Sequence, residues 1–123
     1  MGSFVTRRLV EAGLDVHMYD VIERDTKATF HLEDALRADH SMADFVVNML
    51  PGSLGHKMTS LLKDKEQKIV DLSFSEKTPD TLTEVNSSIL WDVGIAPGLS
   101  NMLVSMAVRN FGNLDEVTIK VGG

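Results

Sequence analysis

Apolar and polar positions change period several times along this 123-residue chain, and each change marks an element. Phe4, Val5, Leu9 and Ala12 recur at helical spacing while Arg7, Arg8 and Glu11 turn away, and Gly13 supplies a helix stop. The stretch LDVHMYD then alternates, with Val16 and Met18 on one side and His17 and Tyr19 on the other, which predicts a short strand ending at Asp20. A weaker pattern follows: a polar loop, then a helix near Leu32 to Ala38. Phe45, Val46 and Val47 form an apolar run closed by Pro51-Gly52, the pattern of a parallel strand buried on both faces. SLGHKMTSLLKDK reads as a helix with Leu54, Met58, Leu61 and Leu62 inward, and KIVDLS as another buried strand. A short helix around Thr81 to Asn86 precedes the strand SILWDVG. LSNMLVSMAVRNF predicts a long amphipathic helix with Leu99, Met102, Leu103, Met106 and Ala107 on its inward stripe. EVTIKV alternates strictly, as a half-buried strand does.

Helices and strands in this alternation give an α/β fold, Rossmann-like, with a mainly parallel sheet. The first helix has no strand before it. The expectation is therefore that the first strand of the sheet is missing from the chain, leaving its two neighbours without their shared partner. Residues 1–113 would form a partial dinucleotide-binding domain. Residues 114–123 would open a truncated second domain, interrupted after Gly122-Gly123.

Composition narrows the classes. The apolar fraction of 43% and charged fraction of 24% are those of a globular chain. No apolar run approaches the ~18–20 residues that span a bilayer. With 12 basic against 18 acidic side chains and a formal charge of −6, neither nucleic acid nor a membrane is expected as a partner. Zero cysteines exclude a disulfide scaffold and a thiolate metal site, and fit a cytoplasmic, reducing compartment. His17, His31, His40 and His56 lack metal-motif spacing, so no metal site is expected.

Candidate chemistry lies where the strands end. Asp20 closes a strand that follows a helix opened by Gly2. In dinucleotide-binding units the third fingerprint glycine opens that helix, and a carboxylate ~20 residues further on accepts the adenosine ribose hydroxyls. The plainer alternative is that Asp20 starts a turn. Leu50-Pro51 and Asp71-Leu72-Ser73 stand at the carboxyl ends of two buried strands, where open parallel sheets bind ligands. Ala96-Pro97-Gly98 precedes a long helix whose free N–H groups and dipole favour a carboxylate or phosphate.

The segment WDVGIAPGLSNMLV, with IVDLSFS before it and GNLDEVTIKVGG after it, resembles the saccharopine dehydrogenase family, especially its lysine dehydrogenase-like branch. Gly2, Leu9 and Gly13 are similar to that family's first helix. The resemblance implies an NAD-linked oxidoreductase (NAD rather than NADP) acting on an amine of a lysine-like amino acid, and a homo-oligomer when full length. It implies that Gly2, Asp20, Leu50, Pro51, Asp71, Leu72, Ser73, Ala96, Pro97 and Gly98 line the cofactor, while no catalytic acid or base is identified. Three departures stand out: the first strand and two fingerprint glycines are absent, the interval from Asp20 to Asp44 is short, and Ala96 stands where saccharopine-forming members carry an aspartate. The last favours oxidation of a free amino acid's amine. The alternative is a non-catalytic fragment or a dinucleotide-sensing module.

Overall fold

The computed structural model describes residues 2–75, 77 and 79–120. Its elements run α1 (Gly2–Glu11), β1 (His17–Asp20), β2 (Thr29–Leu32), β3 (Val46–Asn48), α2 (Gly52–Leu62), β4 (Lys68–Asp71), β5 (Ser88–Leu90) and α3 (Ser100–Phe111). All strand pairings are parallel, which makes this an α/β chain with short strands in open sheets. One sheet is β1-β2 and the other β3-β4-β5.

Two features of the first sheet depart from the expected pattern. β2 lies inside the stretch expected to be loop and helix, and pairs Tyr19 with His31 and Asp20 with Leu32. No helix joins β1 to β2. A four-residue strand needs a return of only ~13 Å, which residues 21–28 can cover extended. The expected helix near Leu32 to Ala38 shrinks to one turn. There Asp34 accepts from the Leu36 N–H through Oδ1 and from the Arg37 and Ala38 N–H groups through its carbonyl.

The second sheet carries the core. Ile69 on β4 is the most buried large apolar residue, and it packs with Val46, Met58 and Leu62. Leu36, Leu50 and Ile89 close around them. Of the four α2 residues expected inward, Met58 and Leu62 are buried, whereas Leu54 and Leu61 remain exposed. The strands expected at β3 and β4 are present, with Val46 and Ile69 buried and Val47 and Val70 half-buried, whereas Phe45 of the expected buried run is 60% exposed and precedes the strand.

Three other expectations are corrected. Of residues 81–86 only Thr81 is helical, as the end of a single tight turn at Pro79–Thr81, and 82–86 are loop. Residues 116–120 form no strand and pair with neither sheet, and Val117 and Ile119 are about half exposed: alternation alone does not make a strand. Val121, Gly122 and Gly123 of that expected strand lie outside the described residues. The stripe of α3 is present as helix but buries nothing: Leu99, Met102, Leu103 and Met106 are 49–64% exposed. Among the described residues no sheet or helix covers that face.

β1 and β3 each pair on one side, with β2 and β4, and among the described residues neither forms a ladder on the other side. α1 reaches both sheets. Thr6, buried, donates its hydroxyl to Met18 Sδ at 3.8 Å, and a methyl group placed on Gly2 would lie 4.0 Å from Met49 Cε, one residue past β3. Open parallel edges beside exposed apolar side chains recruit other chains. The isolated chain should therefore self-associate as its concentration rises and bind a hydrophobic dye before any thermal transition. Sedimentation velocity across a concentration series checks this. A concentration-independent monomer that leaves the dye dark would contradict it.

Candidate functional site

The carboxyl ends of β3 and β4 are joined by a buried polar cluster. Asn48, Thr59 and Asp71 are each at most 6% exposed, and no lysine or arginine pairs with Asp71 among the described residues. Asp71 Oδ2 accepts from the Thr59 hydroxyl at 2.6 Å and from Asn48 Nδ2 at 3.1 Å, while Oδ1 accepts from the Ser73 N–H at 2.7 Å. Asn48 Nδ2 also donates to the Gly55 carbonyl at 2.9 Å, and Asn48 Oδ1 accepts from the Leu50 N–H at 3.3 Å. One carboxyl group thus ties together β3, α2 at Thr59 and the turn after β4. Asp71, a strand-end candidate in the sequence, is buried, and both its carboxyl oxygens accept hydrogen bonds from these neighbours.

Glycines let α2 approach this closely. A Cβ on Gly55 would lie 2.0 Å from Ser73 Cβ, and one on Gly52 would lie 2.9 Å from the Phe74 carbonyl oxygen. Those clashes explain the spacing of Pro51-Gly52 and Gly55: the helix begins where only hydrogen fits between it and the next strand's turn. Leu50 packs on the core and Pro51, exposed, starts α2. Leu72 donates its N–H to the Asn48 carbonyl at 2.8 Å, extending the ladder by one bond.

The WDVGIAPG segment is fastened to the same place. The Val93 N–H donates to the Asp71 carbonyl at 3.2 Å, and Gly98 lies so near Asp92 that a Cβ on it would be 2.4 Å from the Asp92 carbonyl oxygen. Gly98 has φ +122°, a region that L side chains avoid, so both its conformation and its surroundings require glycine. Ala96 and Pro97 are half-buried in this wide turn. Its backbone donors are used internally: Gly98 N–H to Asn101 Oδ1, Leu99 N–H to the Gly94 carbonyl, Ser100 N–H to the Ile95 carbonyl. The helix start expected to receive an anion thus spends these three N–H groups on the chain itself.

Between these turns lies a cleft of about 10 Å³, lined in part by His56, Asp71, Ser73, Lys77, Trp91 and Asp92. That is room for about one water. Ser73 Oγ, buried and without a hydrogen-bond partner among the described residues, borders it. A larger cleft of about 320 Å³ lies elsewhere, between the 35–41 turn and α2, bounded by Leu36, His40, Met58, Leu61, Lys65 and Gln67. None of the sequence-predicted site residues lines it.

Asp20 stands apart on the first sheet. Its Oδ1 accepts from the Ile22 N–H at 3.1 Å and its Oδ2 from Arg24 Nε at 2.9 Å. Gly2 opens α1 beside Met49, so it and Leu50 sit near the end of β3. The fold therefore gathers Leu50, Pro51, Asp71, Leu72, Ser73 and the Ala96–Gly98 turn into one region, and Asp20 carries a separate carboxylate at the end of β1. Asn48, Thr59 and Gly55 were missed by sequence reasoning. A buried-strand asparagine and a threonine one helical turn after Gly55 were the available signals.

The Arg24 guanidinium, followed by the Ile22 N–H, holds the Asp20 carboxyl below its ordinary value of 3.8. The folded state thus gains stability from this group above pH 3.8 and loses it as pH falls through the lowered value. The pair is partly solvated, so the gain is small, about 0–1 kcal/mol. Titration of the Asp20 carboxyl carbon by NMR should give a midpoint below 3.8 that rises toward it in Arg24→Ala. An Asp20 midpoint indifferent to Arg24 would refute the assignment.

Set against known proteins, the chain matches no family model, no curated sequence and no solved structure.

Proposed function

We propose that this chain is the nucleotide-binding α/β part of a saccharopine dehydrogenase-like oxidoreductase, in which NAD oxidises an amine of a lysine-like amino acid. The observation that carries the reading is the Asp20 carboxylate at the carboxyl end of a parallel strand that follows a helix with Gly2 in its first turn. Such a carboxylate accepts two hydroxyl protons from an adenosine ribose and repels a 2′-phosphate. Asp20 has acceptor capacity for this, since an ionised carboxylate offers about four lone-pair sites and two are occupied.

The residues fit the two ends of the cofactor unequally. Asp20 suits the ribose. When bound, NAD supplies a hydride acceptor. Leu50-Pro51, Leu72-Ser73 and the Ala96–Gly98 turn would hold the remainder, with the unpartnered Ser73 Oγ as the free polar group among them. The cleft beside Ser73 is water-sized, so a nicotinamide ring enters only if the 91–98 turn moves away from β4. That observation favours a second reading, a module that binds the adenosine half and performs no turnover. No chain-supplied acid or base is assigned, and a small amino acid remains the proposed substrate of the whole enzyme.

Calorimetric titration with NAD and NADP separates these readings. NAD should bind roughly tenfold more tightly than NADP, and Asp20→Ala should narrow that ratio by relieving charge repulsion and removing hydrogen bonds, about 1–3 kcal/mol together. Turnover of lysine-like amines by a chain that binds NAD supports the enzyme reading, and binding without turnover supports the module. An NAD/NADP ratio unchanged in Asp20→Ala would defeat both.

A further inference from the structure

The cleft of about 320 Å³ between the 35–41 segment and α2 is lined by none of the residues of the Asp71 cluster. Hydrogen bonds hold its outer wall in shape. His40 Nε2 donates to the Ala35 carbonyl at 2.8 Å, Asp39 Oδ1 accepts from the Ser41 N–H at 2.9 Å, and the edge of the His40 ring meets Tyr19 with centroids 5.0 Å apart. The α2 wall is apolar: Met58 and Leu62 are buried, and Leu61, 50% exposed, lies at the rim. Gln67 forms a further wall and is only 8% exposed. Its backbone is spent, with the N–H donating to Ser87 Oγ at 2.9 Å and the carbonyl accepting from the Ser88 N–H at 2.9 Å. Its side-chain Nε2 donates to the His40 carbonyl at 3.1 Å. That contact fixes the amide, since the reversed amide would set two carbonyl oxygens face to face. Gln67 Oε1 is thereby left as a buried acceptor with no partner among the described residues. Such orphans are rare, and each costs stability.

We propose that this cleft binds a small aromatic molecule carrying an N–H donor, with Gln67 Oε1 as the acceptor. Ligand sites usually enclose about 300–1,000 Å³ and combine apolar walls with a few convergent polar groups. This cleft falls at the lower end of that range, which restricts the occupant to a single ring or a fused pair. Met58 and Lys65 both line it and favour an aromatic ring over an aliphatic one, Met58 through its polarisable sulfur and Lys65 through attraction of its ammonium to the ring face. The donor is required because an amide carbonyl only accepts. Because that carbonyl is screened from bulk water, a slight rotation of the amide toward the cleft accompanies binding. An occupant of the same shape without the donor leaves the acceptor buried and unpaired, and the site discriminates against it for that reason.

This site is independent of the dinucleotide reading and its test needs no turnover. Indole and benzofuran have nearly the same shape, and only indole carries an N–H. Each is titrated into the whole chain while backbone and side-chain amide resonances are followed by NMR. Indole should saturably shift the amides of residues 35–41 and 58–67, the Gln67 side-chain amide among them. It should bind about tenfold more tightly than benzofuran, the worth of satisfying one buried acceptor. Gln67→Leu should remove that preference. Leu61→Trp, which fills the cleft from an exposed position on α2, should block both probes and keeps the test open even if Gln67→Leu fails to fold. Asp20→Ala should bind indole as the unmutated chain does. Equal affinity of the unmutated chain for the two probes would overturn the proposal. So would a preference that survives Gln67→Leu, binding that survives Leu61→Trp, or saturable shifts absent from this cleft.

Discussion

The arrangement of β3, β4 and α2 depends on one buried carboxyl group. Asp71 has no cationic partner among the described residues, so its burial is tolerable only because Asn48, Thr59 and the Ser73 N–H satisfy it. Each of those partners belongs to a different element or turn. The apolar core beside it is small, four buried large side chains with three more packed around them. In such a structure a polar cluster sets positions that packing alone leaves loose. Gly52 and Gly55 follow from it: the carboxyl group draws α2 against the turn after β4, and only glycine survives the approach.

The same cluster governs what the candidate site can do. It holds the turns after β3 and β4 in place and, through the Val93 N–H on the Asp71 carbonyl, the turn that contains Pro97 and Gly98. A ligand entering beside Ser73 meets a rigid floor and must displace the 91–98 turn instead. Asp20 is under no such restraint. Its carboxylate is anchored by Arg24 at the end of a strand in the other sheet, partly open to solvent. The two regions thus differ in kind: one is fixed by buried hydrogen bonds and the other offers a partly solvated charge.

The strands β3 and β4 were legible in the sequence, because Val46-Val47 and Ile69-Val70 are short apolar stretches that helical periodicity does not explain. β2 was not, since Thr29–Leu32 alternates weakly within a polar stretch and becomes a strand by pairing with β1. Residues 116–120 show the converse: strict alternation without a partner yields no strand. α3 was legible as a helix, but its inward face was inferred from a stripe, and a stripe identifies only the side that seeks cover. The candidate positions at strand ends follow from the topology of parallel sheets, but the buried contacts of Asp71 do not show in the sequence. Asn48, Thr59 and Asp71 are separated by 11 and 12 residues, and only the fold shows that they meet.

The central claim is that the Thr59–Asp71 contact carries coupling energy between α2 and the sheet. A double-mutant cycle with Thr59→Val and Asp71→Ala, followed by urea denaturation, measures it directly. The account predicts a non-additive term of about 1–3 kcal/mol, in the upper range for residues sharing a buried network. Destabilisations that simply add, to within about 0.5 kcal/mol, would show that the two side chains act separately and that the carboxyl group does not hold the site together.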